Sequence, residues 1–299
     1  MTPRFKVRSS KIPTFLSFRY LIGGRGTIFN FASEGASIRM AGWIAITREI
    51  SADMGRCELT HIPRQSIDLD LARLQHRLYE QCLAELECRV VRLPATPDMA
   101  DSVFVEDTCV VFDELAVIAR PGAISRRGET DSVAGCLKDY RPLVRIEPPG
   151  TLDGGDVLVL GRSVYIGQST RTNADAINQM QSFLEPRGYL VYPLVVHECL
   201  HLKSAACPVA DGVILLNPGW VDAGSLSHAT AIPVDPDEPA AANALRIGNT
   251  IIFPSSYPKT AAKLRSQGIG MKTVDLSELA KAEGAVTCCS VVFHEWTSG

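Results

Sequence analysis

A chain of 299 residues that is 46% hydrophobic can bury a full core as one large domain or two ordinary ones. Its formal net charge of −3 builds no field that would gather a polyanion, so no nucleic acid is expected as a partner and a small ligand fits better. No apolar run reaches the roughly 18 residues that a membrane-crossing helix needs, so no membrane association is expected.

Residues 1–39 carry seven Lys or Arg against the single acid Glu34 and show no periodicity, while the rest of the chain stands at −9. Such a basic, acid-poor stretch reads as a targeting leader or as an over-extended start ahead of Met40. The second reading is preferred, with 1–39 outside the fold and 40–299 forming a single domain.

Residues 43–46 read as a strand. Leu71, Leu74, Leu78, Cys82 and Leu86 then recur at helical spacing behind Asp68 and Asp70, which suit a helix N-terminus. The expectation is an amphipathic helix that lays these leucines on a sheet. Short runs at 89–93, 109–112, 115–119, 157–160 and 164–167, mostly rich in Val, Ile or Leu and bounded by turn residues or charge, read as strands. Thr172 or Asn173 can cap a helix carrying Ile177, Met180 and Leu184, which stops before Pro186. Pro193 confines the run 190–194 to a sheet edge or ends it. The last third adds strands at 213–216, 245–247, 251–253 and 291–293 and a helix from Lys259 to Gly268. The class is mixed α/β.

Nine cysteines, an odd number without a C-x-x-C pair, read as free thiols in a reducing, cytoplasmic compartment. Most serve as small buried hydrophobes. Polar clusters punctuate the pattern at Phe104-Val-Glu-Asp107, Leu152-Asp-Gly-Gly-Asp156, His201-Leu-Lys-Ser204 and Thr287-Cys-Cys-Ser290. Their starts are 48, 49 and 86 residues apart, close to one, one and two units of a module used about five times. Modules arranged around an axis would bring such clusters to one point.

Taken singly, these residues have bland explanations: Cys288 as a structural thiol, His201 as a satisfied core histidine, and the acids as turn formers or caps. Glu106, Asp107, Asp153 and Asp156 together describe an anionic pocket beside a thiol and an imidazole. That pocket suits a guanidinium, whose planar N–H donors match a carboxylate bidentately.

Phe104-Val-Glu-Asp, Arg120-Pro-Gly-Ala, Ser125-Arg-Arg, Leu152-Asp-Gly-Gly-Asp-Val-Leu, Arg171-Thr-Asn, Leu200-His-Leu-Lys-Ser and Thr287-Cys-Cys-Ser resemble, in order and spacing, the dimethylarginine dimethylaminohydrolase family of guanidino-modifying enzymes. The resemblance covers about residues 42 to 293. It implies a five-bladed α/β propeller (pentein) of ββαβ modules and a hydrolase without metal or organic cofactor. It assigns Cys288 as nucleophile, His201 as acid and base, and Asp153 as the acid that orients the imidazole. Glu106 and Asp107 would hold the guanidinium, Arg126 and Arg171 the ligand's carboxylate, and Asp101 with the carbonyl of Leu59 its ammonium. Where relatives commonly carry Val-Asp ahead of the nucleophile, this chain has Ala282-Glu283, so Glu283 is expected to shape the substrate pocket, as is the lid segment Cys57-Glu-Leu-Thr-His61. The alternatives are a deiminase-like hydrolase or amidinotransferase acting on arginine or another guanidino compound, and, from another class, a ribosome-binding factor on the same fold. A homodimer is compatible with this reading.

Overall fold

The computed structural model describes residues 42–226 and 228–295; the leader expected at 1–39 lies outside them. The chain builds one sheet at a time. β1 (Trp43–Arg48) runs through α1 (Leu69–Glu85) into β2 (Arg89–Leu93), which pairs parallel with β1. β3 (Cys109–Val111) and β4 (Ala116–Ile118) form a hairpin, and α2 (Thr130–Leu137) returns the chain as β5 (Leu143–Arg145) alongside β4. The unit recurs as β6 (Val157–Leu160), β7 (Ser163–Gln168), α3 (Ala174–Leu184) and β8 (Leu190–Val195). After α4 (Leu202–Ala205) come β9 (Ala206–Ala210), β10 (Val213–Leu216) and β11 (Thr230–Pro233), with a single turn of 3-10 helix at Ala223–Leu226 in place of a long helix. The last unit is β12 (Leu245–Ile247), β13 (Thr250–Pro254), α5 (Pro258–Ser266) and β14 (Gly270–Val274). After α6 (Ser277–Ala280), β15 (Val291–His294) pairs antiparallel with β1 and so completes the first sheet from the other end of the chain.

These are five three-stranded sheets, each with a middle strand paired antiparallel on one side and parallel on the other. The strands β3, β6, β9, β12 and β15 contribute Val110, Val157, Cys207, Leu245 and Val291 to the wall of a single cavity of about 220 Å³. Five innermost strands around one space make the cavity the axis of a five-bladed α/β propeller. The core lies between the blades, where apolar side chains of neighbouring sheets and helices mesh. Among the described residues no helix is long and apolar enough to cross a membrane.

Asn173 caps α3 through its side chain, and Asp68 caps α1 by accepting from the backbone of Asp70 and Leu71. Pro193 sits in β8, an edge strand, where its missing N–H costs no ladder bond.

The face of α1 departs from expectation. Leu71, Leu74 and Leu78 are 38–50% exposed, and the helix instead buries Ala72, Gln75, His76, Tyr79 and Leu83. Both sets recur at helical spacing. The second is favoured by two polar members that find partners inside: Gln75 donates to Asp275 and Ser277, and the Tyr79 hydroxyl donates to the Val286 carbonyl at 2.9 Å. Both contacts tie α1 to the segment that leads to Cys288.

Candidate active site

Each polar cluster stands immediately before the innermost strand of its blade: Phe104–Thr108 before β3, Leu152–Asp156 before β6, His201 and α4 before β9, Thr287–Ser290 before β15. Equivalent positions around an axis converge. The one unit without a recognised cluster precedes β12, and there Asn243 occupies the corresponding place. Its side-chain amide donates to the Lys203 carbonyl and to Thr287 Oγ1, and its oxygen accepts from Thr287 N. The doubled interval between His201 and Thr287 was the signal that a member near 243 was missing from the set.

Cys288, His201, Asp101, Asp107, Arg126, Arg171 and Glu283 line one cavity of about 20 Å³, together with Glu58, Phe104, Leu200 and Ala282. The Cys288 loop is tied to the Phe104 cluster by Glu106 N, which donates to the Cys288 carbonyl at 3.2 Å. Cys288 is half-buried, whereas Cys289 is fully buried in the core beside α1 and points its thiol to the Ala285 carbonyl. The neighbouring thiols therefore have different surroundings.

His201 lies between two carboxylates. Its Nε2 is 3.1 Å from Asp153 Oδ2, and its Nδ1 is 3.7 Å from Asp107 Oδ1. Asp153 is fully buried behind the ring, and its other oxygen accepts from Gly122 N. Gly155 lets the ring approach this closely, since a Cβ at that position would stand 2.6 Å from His201 Nδ1. Burial alone would discharge the imidazole. Asp107, the Asp153 hydrogen bond and Asp156 outweigh it and raise His201 to about 9. The Cys288 thiol moves the same way for a different reason: burial, then Glu106 and Asp107, push it well above an ordinary thiol. At neutral pH the site thus holds a protonated imidazole and a protonated thiol.

The paired acids part company. Asp107 faces the cavity and takes hydrogen bonds from Arg126 Nη1 at 2.6 Å and Gly155 N at 3.1 Å. Glu106 is not a wall of that cavity. Its carboxylate accepts from Lys203 Nζ and Thr287 Oγ1, both at 2.7 Å, and borders the axial cavity on the other side. Of the two acids expected to hold the guanidinium, Asp107 lines the cavity and Glu106 is paired with Lys203. Sequence reading left Lys203 without a role and passed over Glu129, which lies buried against Arg126.

Arg126 reaches the cavity with its donors engaged by Asp107, Glu129 and the carbonyls of Asp101 and Phe104. Arg171 is less committed, with Thr60 Oγ1 at 3.3 Å and Asp153 Oδ2 at 3.9 Å. Asp101 Oδ2 accepts from Glu58 N, and Leu59 stands outside the cavity wall, half-buried against the core. Glu283 lines the cavity but directs its carboxylate to the backbone of Thr60, His61 and Ile62.

Asp107, Asp153 and His201 are the group whose donor atoms, among the described residues, come close enough to share a metal ion. Their lone pairs are already engaged by Arg126, Gly122 and Gly155 and by one another.

No family model matches the chain. It is 38% identical over 257 residues to the N(G),N(G)-dimethylarginine dimethylaminohydrolase of Streptomyces coelicolor, covering 84% of this chain and 97% of the relative. It is 34% identical to the enzyme of the same name from Pseudomonas aeruginosa, covering 73% and 87%. A structure of a mutant of the Pseudomonas aeruginosa enzyme complexed with citrulline superimposes with a TM-score of 0.81 at 32% identity, covering 85% of this chain and all of that one. The N-terminal domain of the arginine dihydrolase ArgZ, at 20% identity and a TM-score of 0.74, shares the fold. With sequence and fold in agreement, the chain belongs to the dimethylarginine dimethylaminohydrolase family of hydrolases.

Proposed function

We propose that this protein hydrolyses N-monomethyl- and asymmetric dimethylarginine to citrulline plus methylamine or dimethylamine, with Cys288 as nucleophile, His201 as acid and base, and Asp153 holding the imidazole in orientation. The observation that carries the reading is the convergence of a thiol, an imidazole and a buried carboxylate, Asp107, on one small cavity. The relatives' activity by name, the citrulline complex and a further neighbour's adduct with S-methyl-L-thiocitrulline support it.

Asp107 is the acceptor for the guanidinium. Glu106 lies one residue away with its carboxylate held by Lys203 and Thr287, and acts on the Cys288 thiol through space. Arg171, backed by Arg126, meets the α-carboxylate, and Asp101 with the loop carbonyl of Leu59 meets the ammonium. An empty site keeps Cys288 protonated, because burial and then two carboxylates disfavour a further negative charge. A bound cation reverses that balance, so substrate binding itself promotes the thiolate. The thiolate attacks the guanidinium carbon, and His201 gives its proton to the departing amine. A planar S-alkylthiouronium remains on Cys288. The same imidazole, now neutral, takes a proton from water, which attacks that carbon and expels the Cys288 thiolate, leaving citrulline. The chemistry requires no metal or organic cofactor.

The nine free thiols favour a reducing, cytoplasmic compartment for this enzyme. The test of function is a panel of arginine, monomethylarginine and dimethylarginines assayed for ureido product. Turnover of the methylated compounds is expected, and turnover of arginine alone would favour the deiminase reading.

A further inference from the structure

A cavity of about 20 Å³ holds roughly one water molecule, whereas sites for small organic ligands run to about 300 Å³ or more. An arginine derivative can enter only if part of the wall moves. In the segment 57–62 the core holds Cys57 and, in part, Leu59, while Glu58, Thr60 and His61 are exposed. Besides Ser125, which donates to Glu58 Oε1, three groups that line the cavity hold this exposed part. Asp101 accepts from Glu58 N at 3.0 Å, Arg171 donates to Thr60 Oγ1, and the Glu283 carboxylate accepts from three successive amides, Thr60, His61 and Ile62. The first two are the groups read above as receiving the ends of the substrate. Glu283 belongs to the loop alone.

Its backbone ends a short helix. After α6, Gly284 N donates to the Leu279 carbonyl and Glu283 N to the Ala280 carbonyl, the paired bonds of a Schellman cap. The first residue past such a cap is left-handed, as Glu283 is at φ 57° and as Glu87 is at φ 63° after α1. Glycine is the usual occupant because it has no Cβ to strain. What sets Glu283 apart is its side chain, whose carboxylate accepts from three successive backbone amides of the loop.

We infer that Glu283 is a positioning residue that latches the loop 57–62 over Cys288, so that it governs how readily substrate enters and product leaves, without itself contacting the guanidinium. This rests on the reading of the Cys288 cavity as the site of hydrolysis. Breaking the latch raises the population of open loop.

Glu283→Gly separates a latch from a structural role, because it relieves the left-handed backbone while removing the carboxylate. In the full chain it is expected to keep or raise the melting temperature while the amides of Thr60 to Ile62 exchange hydrogen about tenfold faster or more. With a methylated arginine, KM should rise by about tenfold and kcat should change far less. Glu283→Asp, which retains both carboxylate oxygens, should restore much of the amide protection, and Glu283→Gln should restore less. Unchanged exchange at 60–62 in Glu283→Gly would overturn the latch, as would a collapse of kcat at constant KM, which marks contact with the transition state. If the unaltered protein turned over no methylated arginine, the reading of the substrate would fail, and the exchange measurement would still decide the latch.

Discussion

Two adjacent thiols, Cys288 and Cys289, test the site at the scale of single atoms. Cys288 opens on the cavity and Cys289 is sealed in the core. Cys288→Ser should abolish turnover, since a neutral hydroxyl is a far poorer nucleophile, while Cys289→Ser should retain most of it; the reverse ranking would move the nucleophile by one residue. His201 carries a pH signature as well. Its folded value of about 9 lies above the 6.5 of a free imidazole, so its stabilisation is fully present below pH 6.5 and is lost as pH rises through 9. The shift caps this contribution at about 3 kcal/mol, and part of the lowering of Asp107, which Arg126 and the Gly155 amide also hold down against its burial, is the same interaction seen from its partner. Urea unfolding of the protein and of His201→Gln should therefore differ more at pH 6 than at pH 9.5. A difference that stays flat across that range would show that the imidazole is not held charged.

At the scale of elements, α1 separates periodicity from burial. Leu83 is fully buried and Leu74 is 45% exposed, although both are leucines on one helix. Leu83→Ala should cost about 2–5 kcal/mol in chemical unfolding through lost contacts and a residual cavity. Leu74→Gln should stay within about 0.5 kcal/mol, as exposed substitutions do. Equal effects would mean that the exposed face is covered in solution. The inward face also carries Tyr79, whose hydroxyl meets the Val286 carbonyl and Ser290 Oγ on either side of Cys288. The helix therefore braces the nucleophile's loop, so a Leu83 variant should lose activity along with stability.

For the molecule as a whole, closure of the ring depends on β15, the one strand that pairs with a strand from the far end of the chain. Deleting residues 291–299 removes the partner of β1 and one wall of the axial cavity, and should leave a chain without a cooperative thermal transition. A truncated protein that melted normally would show that the first blade can stand with two strands. Removing residues 1–39 is expected to do the opposite, leaving turnover and melting temperature unchanged. A folding defect in that variant would tie the basic stretch to the catalytic domain.

The amino-acid sequence by itself determined the class, the strands 89–93, 157–160, 213–216 and 245–247, and the near-even recurrence of polar clusters. All of these are local, because short apolar runs between turn residues leave the backbone few choices. It was silent on β9 and β14, whose Ala206-Cys-Pro-Val-Ala and Gly270-Met-Lys-Thr-Val carry a Pro or Gly and no strong apolar run. Neighbouring strands supply their pairing. Direction was decided only in three dimensions. Glu106 and Asp107 are adjacent, but they sit in a 3-10 turn where successive side chains diverge by about 120°, so one faces Lys203 and the other Cys288. Glu283 read as a wall of the substrate pocket, five residues from the nucleophile. Its carboxylate's three loop amides more than 200 positions away make it a latch, because a side chain's partner across that separation is set by the closure of the ring.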